Sequence, residues 1–209
     1  MGHLMELYLI RHGESEGNFN RTHNGWAPTP LTETGEKQAA RSAPLFSGVA
    51  FDRIFVSDVL RAWQTARILF PEQEFVFCPL IREMNNTSMR GRTAEEMTEL
   101  FPELYPACRE RFDYSPLGWD CESGAHFTRR GGEFLDMVAG LGLERVCAVC
   151  HAGIIKAMCA YVLGIPDHNP PLGCDNASVT VLAYKNDRWR LKALNLTPDR
   201  VGAGESWNA

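Results

Sequence analysis

The chain has 209 residues, 44% of them hydrophobic and 22% charged, which suits one packed core and requires no second domain. A net charge of -5 argues against nucleic acid or a membrane surface as the default partner, so an anionic ligand would need a basic pocket set against the global sign. No stretch approaches the ~20 apolar residues of a membrane span, and no apolar signal-peptide core precedes the first strand pattern, so a cytoplasmic location is expected. The seven cysteines are odd in number and lie mostly in apolar patterns, which predicts reduced, buried thiols.

Met5 to Ile10 is the first strand pattern, and a polar loop follows it. Thr32, with Glu33 and Glu36, signals a helix start and predicts a helix to about Phe46. Arg53 to Ser57 reads as a short strand, Asp58 to Phe70 as a helix closed by Pro71, and Phe75 to Cys78 as another strand. From Glu83 to about Gly124 the alternation fails around Pro102, Pro106 and Pro116, and Thr93 to Leu100 is the clearest helical piece. A helix is predicted from about Glu133 to Gly140, a strand over Arg145 to Cys150, and a helix over Gly153 to Leu163. Ser178 to Tyr184 and Arg188 to Leu194 read as strands joined by a turn at Asn186-Asp187, and the tail from Thr197 reads as mobile. This alternation of strands and helices is the signature of an α/β domain with a largely parallel sheet.

Two of the apolar strand patterns end in histidine. Leu7-Tyr8-Leu9-Ile10 runs into Arg11-His12-Gly13-Glu14, and Val146-Cys147-Ala148-Val149-Cys150 runs into His151-Ala152-Gly153. Ligands of open α/β sheets bind beyond the carboxyl ends of strands, so both histidines stand where a substrate would be met. Cys147-Ala148-Val149-Cys150-His151 also fits the spacing of covalent haem attachment. That chemistry needs both sulfurs on an accessible loop, and here they sit inside an apolar strand run.

Arg11-His12-Gly13-Glu14-Ser15, Pro30-Leu31-Thr32-Glu33-Thr34-Gly35, Ser57-Asp58-Val59-Leu60-Arg61-Ala62-Trp63-Gln64-Thr65-Ala66 and Cys150-His151-Ala152-Gly153 occur in an order and at separations that resemble the histidine phosphatase superfamily. The resemblance runs from Leu7 to about Tyr184. It implies a phosphoglycerate-mutase-like fold: a three-layer α/β/α arrangement with a mostly parallel central sheet and an inserted capping segment. The expected organisation is a single domain over 1–209, with its core at about 5–196, the insertion at 83–124 over the active site, and a tail at 197–209.

The resemblance further implies that His12 is a nucleophile, that Arg11 and Arg61 clamp a phosphoryl group, and that His151 contacts its oxygens. Guanidinium suits such a clamp because its planar donors pair bidentately with phosphate and it stays charged. A carbonyl near Gly13 is expected to fix the tautomer of His12. Glu83, in Leu80-Ile81-Arg82-Glu83, matches the family's general acid, and Asn18 matches a substrate-binding asparagine. The bland readings are a satisfied strand-end histidine for His12, a solvated helix-start residue for Arg61, and a surface carboxylate paired with Arg82 for Glu83.

The chain departs from the family pattern in several places. Thr87-Ser88-Met89-Arg90-Gly91 keeps only the last glycine of a Gly-x-Trp-Glu-Gly pattern, Pro28 stands where aspartate is common, and Ala152 follows His151 where glycine is frequent. Arg90 and Arg92 either make the pocket wall more basic, for a substrate with a second anionic group, or are plain solvated residues.

The function this implies is metal-independent hydrolysis of a small phosphomonoester through a phosphohistidine, with no cofactor. The partner is a small phosphorylated metabolite rather than nucleic acid or membrane, and homo-oligomerisation stays open. A cofactor-dependent phosphoglycerate mutase is the alternative, and a catalytically silent phospho-ligand-binding protein is a second one.

Overall fold

A computed structural model describes residues 4–166 and 168–200. Six strands form one sheet: β1 (Met5–Arg11), β2 (Arg53–Val56), β3 (Val76–Phe77), β4 (Arg145–Cys150), β5 (Val179–Lys185) and β6 (Arg188–Leu196), in the order β3-β2-β4-β1-β5-β6. The pairings β3-β2, β2-β4 and β4-β1 are parallel, and β5 and β6 add an antiparallel edge. β1, β2 and β4 are apolar runs because both faces of the sheet are covered.

Alternation along the strands sorts the core into two layers. Tyr8, Ile10, Ile54, Val56, Cys147 and Val149 meet Ala62, Ala66 and Leu69 of α3 (Leu60–Leu69), on the side that also carries α2 (Glu33–Ser42). Leu7, Leu9, Phe55, Val146, Ala148 and Cys150 meet Phe134, Leu135, Ile154 and Met158, from α6 (Gly124–Ala139) and α7 (Ala152–Leu163). Met89, Met97, Tyr105, Tyr114 and Cys121, from the segment after Glu83, join this second cluster, so that segment packs on the α6–α7 side. The expected three-layer α/β/α arrangement is therefore present, and all seven cysteines are buried free thiols.

The departures from expectation have local causes. The polar loop after β1 contains a short helix, α1 (Glu16–Phe19), opened by a Ser15/Asn18 capping box. The helix after Thr32 ends at Ser42 and continues as a 3₁₀ turn over Ala43–Phe46, because Pro44 has no N–H to continue the α pattern. Thr93 and Glu96 cap α4 (Ala94–Leu100), which matches the expected helical piece.

Beyond α4 lies an unexpected helix, α5 (Leu104–Arg111). Pro106 read as a breaker, but it occupies the first turn, where an N–H has no intrahelical partner to lose. α6 begins at Gly124, well before the expected Glu133, because Ser123 caps it; Gly131 and Gly132 lie inside it, against Met158 and Tyr161 of α7. The pairing of β3 shrinks to two residues at the sheet edge. The Asn186-Asp187 turn is present, with both residues at positive φ (51° and 57°), as a tight hairpin of this kind requires. In the tail, Thr197 to Arg200 is tied down by an Arg41–Asp199 ion pair at 2.5 Å, and residues 201–209 lie outside the described residues.

Candidate active site

Strand register brings the two histidines together. Arg11 of β1 pairs with Cys150 of β4, so His12 and His151 are both the first residue past the paired strands, and the His12 N–H donates to the Cys150 carbonyl at 3.0 Å. β2 lies on the far side of β4, and Ser57 just beyond it donates its N–H to Val149. Three neighbouring parallel strands thus deliver His12, His151 and Ser57 to one edge. The imidazole rings of His12 and His151 meet edge-on, 5.1 Å apart, and His151 Nε2 is 2.8 Å from Ser57 Oγ.

The tautomer of His12 follows from its partners. Nδ1 is 2.6 Å from the Gly13 carbonyl, which can only accept, so Nδ1 carries the proton. Nε2 lies 3.1 Å from Arg61 Nε, which can only donate, so Nε2 presents a lone pair. Burial, then the charges of Arg61 and Arg11, push the imidazole well below its usual pKa, against a smaller upward pull from the Gly13 carbonyl. The ring is only 3% exposed and is neutral at neutral pH. His151 is fully buried and is pushed down in the same way, by burial first and then by Arg61 and His12. Its Nδ1 makes no hydrogen bond.

Arg61, in the first turn of α3, is also only 3% exposed, which removes the reading of a solvated residue. Its guanidinium donates to the carbonyls of Gly25 (2.8 Å) and Ala27 (3.3 Å), so the Gly25–Thr29 loop wraps it, with Pro28 on the outside. Burial lowers its pKa to about 10, and it stays charged. Arg11 donates to the Cys174 carbonyl at 2.6 Å, while its buried Nε makes no hydrogen bond.

Glu83 points at the start of α7. One carboxylate oxygen accepts from the Gly153 N–H at 3.1 Å and the other from the Met84 N–H at 2.9 Å. A Cβ at position 153 would meet this carboxylate, so a side chain there would push Glu83 away from the Gly153 N–H. Arg82 does not pair with Glu83; it forms an ion pair with Asp58 and stacks over Trp26 at 4.6 Å. Asn18 accepts at its side-chain oxygen from the Ser15 N–H and from Asn176, which leaves its NH₂ as the group it can offer a ligand.

Arg11, His12, Asn18, Arg61 and Glu83 line one cleft of about 260 Å³. His151 stands behind His12, outside the lining. Lining residues not anticipated from the sequence include His23, Tyr114 and Lys156. Lys156 lies one turn of α7 beyond Gly153 and on the same face, a spacing that could have marked it. Arg90 and Arg92 are exposed and lie outside the cleft lining, as do Glu95 and Glu96. Among the described residues, no group of three or more His, Cys, Asp or Glu side chains is arranged to hold a metal ion. No helix among them is long and apolar enough to cross a membrane.

An α/β sheet that sets a neutral imidazole between two arginines at its carboxyl edge defines a phosphoryl-handling enzyme. The model of the histidine phosphatase superfamily (branch 1) matches residues 7–197, and the chain belongs to that family. It is 31% identical over 166 residues to the adenosylcobalamin/alpha-ribazole phosphatase of Salmonella typhi, covering 78% of this chain and 81% of that one. It is 29% identical over 217 residues to a 2,3-bisphosphoglycerate-dependent phosphoglycerate mutase of Neisseria meningitidis, covering 88% and 95%. A mycobacterial glucosyl-3-phosphoglycerate phosphatase solved with VO3 superposes with a TM-score of 0.79 at 29% identity, covering 92% of this chain and all of that one. The activity of this chain is accordingly the hydrolysis of phosphate esters.

Proposed function

We propose that the protein hydrolyses a small phosphomonoester through a phosphohistidine on His12, in the cytoplasm and without a metal ion or other cofactor. The observation that carries this reading is the His12 ring, with its Nδ1 proton held by Gly13 and its Nε2 lone pair directed into a buried cationic corner. Nε2 attacks phosphorus, and the ester P–O bond breaks. The new N–P bond takes the lone pair that Arg61 Nε now binds, so that N–H turns to a phosphoryl oxygen. Arg11 and Arg61 hold the phosphoryl oxygens and Asn18 adds its amide, while His151, buried behind His12 with its Nδ1 unpaired, reaches a phosphoryl oxygen only if the group bound at His12 sinks past the cleft wall. Each charge-assisted contact contributes about 1.5–3 kcal/mol. Glu83 gives its proton to the leaving oxygen, then accepts one from the water that breaks the P–N bond and releases inorganic phosphate. The segment 83–124 caps the site, with Tyr114 reaching the cleft from it.

Among the described residues Glu83 is the single carboxylate lining the cleft, and the cationic Arg11, Arg61 and Lys156 that share it disfavour a divalent ion there, which supports metal independence. The mutase reading rests on the meningococcal relative and differs in returning the phosphoryl group to a bound hydroxyacid. The test is phosphate release from a panel of monoesters, headed by those for which the phosphatase relatives are named, with and without chelator. Release that survives chelator is expected. Activity lost to chelator and restored by one ion would overturn metal independence, and phosphoryl return to phosphoglycerate exceeding release would establish the mutase.

A further inference from the structure

Arg130 of α6 and Glu122, just before that helix, form an ion pair that lies outside the cleft. Their side chains are only 8% and 4% exposed. Arg130 Nε and Nη2 donate to the two carboxylate oxygens of Glu122 at 3.1 and 2.9 Å. The remaining guanidinium donors go to backbone carbonyls of one short stretch: Leu80 at 2.6 Å, Arg82 at 2.9 Å and Glu83 at 3.3 Å. Glu122 holds the other end of the same stretch, accepting from the Asn85 N–H at 3.1 Å, while its own N–H donates to the Asn85 carbonyl at 2.8 Å. His126 adds a contact to Glu122 at 2.6 Å.

The stretch from Leu80 to Asn85 has no regular structure beyond the 3₁₀ turn Pro79–Ile81, so its carbonyls have no ladder to satisfy them. Burying two charges is an expensive way to gain stability, since apolar residues of similar volume commonly do as well. What the pair supplies is conformation: it fixes the backbone on both sides of Glu83. The Glu83 carboxylate is then anchored at its tip by Gly153 at the start of α7.

We propose that Arg130 and Glu122 are positioning residues for Glu83, holding its carboxylate at the height where the leaving oxygen is protonated. This rests on Glu83 being the general acid. The pair itself touches no substrate, so its loss should act through Glu83 and leave phosphoryl binding intact.

The test is a double-mutant cycle between Glu83→Gln and Arg130→Lys, which keeps the charge but removes the planar fork. It is read as the rate of phosphoenzyme formation with an alkyl phosphate and with nitrophenyl phosphate. Arg130→Lys is expected to slow the alkyl ester by about 10- to 100-fold and nitrophenyl phosphate by less than about 3-fold, within the range of general-acid contributions. Vanadate affinity should stay unchanged, and in the Glu83→Gln background Arg130→Lys should add nothing further. Equal slowing of both esters, or full additivity with Glu83→Gln, would overturn the inference. If Arg130→Lys does not fold, Glu122→Gln is read by the same criteria. If Glu83→Gln itself fails to discriminate between the esters, the general-acid assignment falls and this inference with it. Discrimination by Glu83→Gln without discrimination by Arg130→Lys overturns the positioning role alone.

Discussion

His12 is neutral because its burial disfavours the charged ring and protonation would also place a third positive charge beside Arg61 and Arg11. Its ring should therefore stay unprotonated in the ligand-free enzyme at pH 6, which a ¹⁵N NMR titration of the imidazole would follow. A midpoint at or above 6.5 would contradict the burial argument. His12→Ala should abolish the acid-labile, base-stable phosphoenzyme trapped from labelled substrate, and undiminished labelling in that variant would sink the assignment. Glu83→Gln should slow phosphoenzyme formation from alkyl esters by roughly 10²–10⁴ and spare nitrophenyl phosphate, whose leaving group departs without a proton. Equal slowing of both would move the acid role away from Glu83.

At the scale of elements, the start of α2 is pressed against the loop that follows β1. A Cβ on Gly35 would collide with the backbone carbonyl of Glu14, and one on Gly13 with the carbonyl of Gly35. Neither backbone can yield without moving the segment that carries His12. Gly35→Ala should therefore destabilise the protein by roughly 1–3 kcal/mol, since such overpacking outweighs the helix propensity alanine adds. Gly140, at the end of α6, has φ of -77° and only ordinary contacts for a Cβ, so Gly140→Ala should stabilise by about 0.4–1 kcal/mol. Urea unfolding of the two variants beside the parent checks both signs.

For the whole molecule, the two buried histidines link stability to pH. His12 and His151 have folded pKa values depressed below the unfolded 6.5, chiefly by burial. Between the folded and unfolded values the unfolded chain binds more protons, so stability is complete above about pH 6.5 and is lost as pH falls below it. Each group contributes a slope of about 1.4 kcal/mol per pH unit in that window. Asp58 and Glu6, whose folded values are lowered from 3.8 and 4.5, act in the same direction only at lower pH. The urea midpoint should fall steadily from pH 6.5 to 5, and a flat profile there would show that the histidines are not buried neutral.

The strand-end histidines, the parallel-sheet alternation and the Asn186-Asp187 hairpin were legible in the chain, because apolar periodicity and turn chemistry are local properties. Arg11, Arg61, Glu83 and Asn18 were marked by the resemblance to the histidine phosphatase family, and the four line one cleft. Local signals failed at α5, where Pro106 looks like a breaker unless its place in the first turn is known, and at α6, where glycines obscured a start set by Ser123. Other features exist only in three dimensions. The pairing of Arg11 with Cys150 puts His12 against His151, and the Arg130–Glu122 pair holds a stretch 37 to 50 residues away in sequence. The exposure of Arg90 and the cleft position of Lys156 were likewise decided by packing. The sequence by itself determined which chemistry the strand ends carry, whereas register and close packing decided which groups meet, because contact between distant residues depends on how the layers stack rather than on any local pattern.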